Sequence, residues 1–163
     1  MTVPAEVREQ VRRRARDVCE YCRLPQKASV VPHQVDHIVG RQHHGQDDLT
    51  NLCLCCIRCN LKKGPNIASI DPGTGQVVAL FHPRIQSWHA HFLANLDGML
   101  IGVTPEGRAT VRLLGMNEEE RPRLRLLLMK QGIYPRAAIC SCCCRRIANN
   151  HPPPHPPTPA PPP

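Results

Sequence analysis

Two Cys-x-x-Cys pairs constrain this chain more than any other feature. Cys19 and Cys22 flank Glu-Tyr, Cys56 and Cys59 flank Ile-Arg, and 33 residues lie between the pairs. Each pair can aim two thiolates at one ion, and four sulfurs at about 2.3 Å close a tetrahedral zinc shell. A closed shell leaves no position for water, so this metal is expected to hold the fold and not to run a reaction. Cys53 and Cys56 also stand two residues apart, and extended backbone would put Cys53 and Cys55 on one face. Cys56 with Cys59 is preferred, because a pair at the start of a helix makes a compact knuckle.

Ten cysteines could instead form a secreted disulfide framework. The opening MTVPAEVREQVRRRARD lacks the apolar stretch of a signal peptide, and no apolar run of about 18 residues occurs. A reducing cytoplasm and no membrane association are therefore expected, and there clustered cysteines read as metal ligands. Aromatic residues make up only 3% of the chain, so a core of bulky side chains would be thin and a metal staple would compensate. Lys and Arg number 21 against 13 Asp and Glu, a net +8 that favours a polyanionic partner.

Patterning along the chain predicts the elements. Residues 4–17 open with Pro4 and repeat Val7 and Val11 beside Arg8, Arg12 and Arg16, which predicts a short basic amphipathic helix. CEYCRLP is a tight turn, ASVVPHQVDHIVG is β structure, RQHHGQDDLTN is a polar loop, and NLCLCCIRCNLKKG is an extended piece followed by a helix closed at Gly64. This is a β-β-α unit. Beyond Pro65 the reading is a DPGTG turn, a strand QVVALF, then strands near residues 91–94 and 99–103 joined around Asp97 and Gly98. Helices are predicted over 108–114 and 118–131, the second capped by Asn117 and stopped by Gly132. From Tyr134 the character changes, and nine of the last thirteen residues are proline, which predicts disorder.

Between the cysteine pairs lies a second set of residues: Asp36 and His37 on a strand, Asn51 after the loop, and Asn60 directly after Cys59. Neighbouring strand residues face opposite ways, so Asp36 can ligate a hard cation while His37 takes a proton from water. Asn60 offers an amide oxygen, and one carboxylate, one amide and waters suit Mg²⁺ or Mn²⁺.

CEYC, VDHI, a His- and Gly-containing loop, NL and CIRCNLKKG together resemble the HNH endonuclease family, whose three motif letters fall on His37, Asn51 and Asn60. The resemblance implies an α+β fold with a ββα-metal core and a structural four-cysteine zinc. It also implies a DNA phosphodiesterase leaving 5′-phosphate and 3′-hydroxyl ends, with His37 as general base, Asp36 and Asn60 as ligands of the catalytic metal, and Asn51 fixing the loop and orienting the base. Asn60 stands where the family name implies His, a departure common in the four-cysteine subset. LFHPR, WHAHF, GVTPEGRATV and LLGMN resemble one branch of the family, so the similarity spans roughly residues 4–132. The organisation expected is a basic helix over 1–18, the core over 19–64, an α+β extension over 65–132 and a tail over 133–163.

Arg41 near the metal loop, Arg58, Lys62 and Lys63 on the helix, and Arg12 and Arg16 before it are candidate nucleic-acid contacts, double-stranded DNA being the partner that the resemblance favours. Exposed loop positions are expected for His43 and His44, and packing with polar tips outward for His82, His89 and His91. Cys140, Cys142, Cys143 and Cys144 lack ligand spacing and go with the tail. The rival readings are a noncatalytic zinc module that binds nucleic acid and a protein-interaction module that uses the Pro-rich end.

Overall fold

The computed structural model describes residues 3–118 and 120–134. The element order is α1 (Ala5–Ala15), β1 (Gln34–His37), β2 (Leu52–Cys55), α2 (Ile57–Lys63), β3 (Ala68–Ile70), β4 (Val77–Ala79), α3 (Trp88–His91), β5 (Phe92–Ala94), β6 (Leu100–Gly102), α4 (Pro105–Leu113) and α5 (Arg121–Lys130). The strands form three separate antiparallel pairs, so the chain is α+β.

The first pair and the helix after it make the ββα unit. Its register sets Gln34 against Cys55 and Asp36 against Cys53 on one face, Val35 against Leu54 and His37 against Leu52 on the other. Helix α1 covers the second face. Val11 is fully buried and Ala15 nearly so, packed with Leu52 and Leu54, while Val7 and Val35 close the rim. A valine buried in this way contributes about 1.5 to 3 kcal/mol, so the helix is held by its apolar stripe, and Arg14 ties it further to Leu49 O and Leu52 O at 2.7 Å.

Helix α1 is shorter than the sequence predicts because Arg16 and Asp17 both take left-handed backbone (φ 51° and 54°). Their N–H groups donate to the carbonyls of Arg13 and Arg12, which satisfies the helix end without a glycine. Within ASVVPHQVDHIVG only Gln34–His37 forms a strand, and Pro32 just before it has no N–H to donate to a ladder. Val30 and Val31 are left exposed.

The extension departs from prediction at four places. QVVALF supplies only β4, and its partner β3 precedes the DPGTG turn. The segment from Trp88 opens as one helical turn before the chain extends into β5. Helix α4 begins at Pro105, because Thr104 Oγ1 accepts from the N–H of Gly107 at 3.1 Å and caps it. Helix α5 begins at Arg121, and Asn117 is not its cap: the Asn117 carboxamide bonds both backbone groups of Leu100 at 2.8 Å and accepts from Arg125 at 2.9 Å. Gly132 does end the helix, with φ 68° and its N–H on Met129 O.

The turn of the β3–β4 hairpin is tied down by Asp71. Its side chain is buried, accepts from Gly73 N–H and Thr74 Oγ1, and pairs bidentately with Arg108 of α4 at 2.7 Å. The Arg108 guanidinium holds the Asp71 carboxyl well below the usual carboxylate range. A carboxyl depressed on folding stabilises above its unfolded pKa, about 3.9, and that contribution is lost as pH falls through the folded value. Urea titrations at pH 7 and pH 3 should show the stability gap between wild type and Asp71→Asn narrowing at the acid end. A gap independent of pH would refute the linkage.

The main core gathers around Cys19, Cys22, Cys56 and Cys59 and takes in Phe81, Trp88, Phe92, Leu100, Leu114 and Met116 from the extension. Phe92 meets Phe81 edge to face at 5.0 Å and Trp88 at a tilt at 5.2 Å between centroids. Ile133 and Tyr134, assigned to the tail from sequence, belong to the packed structure. Tyr134 is buried and donates its hydroxyl to Cys22 O at 2.6 Å, because the turn after α5 carries it back onto the first cysteine pair. Residues 135–163, with the four later cysteines and the prolines, lie outside the described residues.

Candidate functional site

Each cysteine pair sits in a turn that aims both sulfurs inward. In the first, Cys19 N–H donates to Leu24 O and Arg23 N–H to Cys19 O, with Arg23 in left-handed backbone. Trp88 Nε1 donates to Tyr21 O at 2.7 Å and locks the same turn from outside. In the second, Cys56 follows β2 in extended backbone as the N-cap of α2, and Cys59 lies in the first turn of that helix. The four Sγ atoms fall within 4.8 Å of one another, and Cys22 and Cys56 are 3.7 Å apart. A tetrahedron with metal–sulfur bonds of about 2.3 Å has edges of about 3.8 Å, so the donor set fits a structural zinc. The register resolves the Cys53 ambiguity: Cys53 Sγ donates to Asp36 O at 3.6 Å and stands outside the four-sulfur cluster, and burial pushes its thiol up to about 12. Among the described residues these four form the sole such cluster of His, Cys, Asp and Glu.

Arg121 is a component that sequence reasoning missed. It lies buried at the start of α5 and donates to Cys59 Sγ at 3.0 Å and to Leu114 O at 2.7 Å. A cation on a ligand sulfur compensates the charge that four thiolates place on a zinc site.

Beside this centre, α2 crosses the face of β1 that carries Gln34 and Asp36. Asn60 Nδ2 donates to Gln34 Oε1 at 2.5 Å, and one turn on, Lys63 Nζ stands 3.7 Å from Asp36 Oδ2. Residues three apart on a helix share a side, as do residues two apart on a strand. Asn60 and Asp36 therefore face the same space. Burial raises the Asp36 carboxyl above its ordinary range, and Lys63 pulls it back. Asp36 Oδ2 is buried with no hydrogen-bond partner, an orphan that a cation would satisfy.

Lys63 corrects one expectation from sequence. It is 1% exposed, and its ammonium donates to His37 O at 2.8 Å and Gly64 O at 3.1 Å. It is a buried brace between α2 and the end of β1, not a surface contact for a nucleic-acid backbone. Lys62 and Arg58 of the same helix are exposed, Lys62 paired with Glu118.

His37 projects from the opposite face of β1, as strand alternation requires. Its Nε2 meets Asp47 Oδ1 at 2.6 Å, and Arg41 grips the same carboxylate through Nε at 3.1 Å and Nη2 at 2.7 Å. These two partners, His37 foremost, hold the Asp47 carboxyl below its usual value. An ionised carboxylate only accepts, so Nε2 carries the proton and Nδ1 is the basic nitrogen. The loop that delivers Asp47 is closed by Asn51, whose Oδ1 accepts from Val39 N–H and whose Nδ2 donates to Val39 O and Gln46 O, each at 2.9 Å. Gly45 passes so close to Val39 O that a Cβ there would collide with backbone. Asp47 was missed from sequence; an acid four residues before the motif asparagine was the available signal.

Among the described residues no other histidine has a carboxylate within hydrogen-bond distance, His91 standing 3.9 Å from Glu106. His43 and His44 are exposed. His91 tilts against Phe81 with its Nδ1 on Thr104 Oγ1 at 2.7 Å, and it shares a helical turn with His89.

The ββα unit thus carries four clustered cysteines at its base, Asp-His at the end of its first strand and Asn in its helix. Residues 19–66 match the model of the HNH endonuclease family, and the four cysteines clustered within them agree with a zinc-binding subset of that family. Neither the curated proteins nor the solved structures yielded a match. No helix among the described residues is long and apolar enough to cross a membrane.

Proposed function

We propose that this protein is a metal-dependent endonuclease that hydrolyses phosphodiester bonds of double-stranded DNA. The observation that supports it best is the pairing, at the end of one strand, of an imidazole fixed by a carboxylate with a half-buried carboxylate whose Oδ2 has no hydrogen-bond partner. Asp36 and Asn60 would hold Mg²⁺ or Mn²⁺, which supplies Lewis-acid stabilisation of charge on the phosphate. His37 Nδ1 removes a proton from water as its oxygen bonds to phosphorus. The bond from phosphorus to the 3′ oxygen breaks, leaving a 5′-phosphate, and the departing oxygen takes a proton from solvent to become the 3′-hydroxyl. Asn51 keeps the loop closed, and Asp47 holds the imidazole in the tautomer that this step needs.

Lys63 favours a second reading, a catalytically silent zinc module that binds nucleic acid, because its ammonium already offers Asp36 a positive charge. Incubation of supercoiled plasmid with Mg²⁺ or Mn²⁺, with and without chelator, separates the two. Nicking that needs both the metal and His37 supports the enzyme, and intact plasmid under every condition supports the silent module.

Asp47 gives a graded test. Asp47→Asn should lower kcat about 10- to 100-fold, the range for a group that orients another functional side chain, with KM for plasmid little changed. The carboxylate is on the surface, so the melting temperature should hold. A kcat equal to wild type would remove Asp47 from the mechanism.

A further inference from the structure

We propose that the nucleic-acid backbone is led to the site along a groove walled by Arg8 and Arg12 of α1 and by the chain from Val31 to Val35. The inference rests on the nuclease reading and adds the path of the substrate. The groove has a volume of about 370 Å³, and its floor includes Gln34, the residue that holds Asn60. The outer edge of β1 is unpaired among the described residues, so no strand blocks the way between the groove and the site.

Arg8 and Arg12 stand one helical turn apart and are exposed, and among the described residues neither has a carboxylate partner. The nearby Glu9 is taken up by Arg13 at 2.9 Å. Two guanidiniums in a row with no carboxylate partner suit a phosphodiester chain, whose oxygens accept bidentate bonds. Arg16 does not share this wall. The left-handed bend that ends α1 turns it into a separate cleft with Asp17, Arg23, Lys27 and Tyr134, so the pairing of Arg12 with Arg16 read from sequence gives way to Arg8 with Arg12.

The test measures binding of a short labelled DNA duplex to the full chain carrying His37→Ala, without added Mg²⁺ or Mn²⁺, over a range of salt. Each lost phosphate contact flattens the slope of log K against log salt by about 0.9. Arg8→Gln with Arg12→Gln should therefore flatten it by about 1.8. The control, Arg13→Gln with Arg123→Gln, removes the same charge from two exposed arginines that are each paired with a carboxylate, and it should leave the slope near that of the parent. Equal flattening by both pairs would show undirected charge attraction and overturn the groove, and so would no flattening by either. Failure of wild type to nick plasmid would count against the nuclease reading while leaving this comparison to stand or fall by itself.

Discussion

His37→Ala is expected to slow plasmid cleavage about 10²- to 10⁴-fold, the range that a positioned general base contributes, while the protein keeps its fold and its zinc. The second half of that expectation follows from how the residue is held. Its side chain hydrogen-bonds Asp47 on the surface loop, and Asp47 keeps its two bonds from Arg41 when the imidazole is gone, so truncation strands no buried charge. Its backbone is held separately: the carbonyl accepts from buried Lys63, and the strand register with Leu52 is unaffected. Cleavage and circular dichroism on one preparation check both parts. A variant that cuts at the wild-type rate would take His37 out of the chemistry; one that melts early would show the residue to be structural. The Asp47→Asn result sharpens the reading, since a base and its orienting group should both lower kcat, with the smaller loss at the orienting group.

What was legible in the sequence divides along physical lines. The cysteine centre was, because each knuckle is built within four residues and spacing alone fixes where its thiolates point. The positions of Asp36 and His37 on opposite faces were legible for the same reason, strand alternation being local. Asp47 was not: its carboxylate reaches His37 only after Asn51 draws Val39 and Gln46 together and Gly45 lets the backbone pass. Lys63 was misread because a lysine near the end of a short helix is ordinarily solvated, and its burial depends on β1 and the turn at Gly64 presenting two carbonyls at once. In the extension, Ala68–Ile70 is too short and too weakly patterned to announce a strand, and the cap at Thr104 was passed over although Thr-Pro-Glu is an ordinary helix start. Asn117 shows the converse, a cap-like residue drawn away by tertiary bonds to Leu100 and Arg125.

Cys59→Ser should do the opposite of His37→Ala: abolish zinc retention and unfold the protein. Apparent zinc affinity at a structural site is about 10 to 16 kcal/mol, comparable to or larger than the whole net stability of a small domain, about 5 to 15 kcal/mol. Loss of one ligand of four need not remove all of that, but here the loss spreads. Cys59 is fully buried, and Arg121 would be left as a buried guanidinium with carbonyls as its remaining partners. The same cluster also holds Phe81, Trp88 and Phe92 of the extension, so the α5 and β5–β6 region should loosen with it. Cys53→Ser is the matched control, because Cys53 is equally buried yet bonds Asp36 O and lies outside the cluster. Zinc content and thermal melting of the two variants decide the matter. Cys59→Ser should be metal-free without a cooperative transition, and Cys53→Ser should keep its zinc and melt within a few degrees of wild type. A Cys59→Ser protein that melts cooperatively near the wild-type temperature would mean that packing, not metal, holds this core. A Cys53→Ser protein that loses zinc would mean that the ligand set includes the strand cysteine after all.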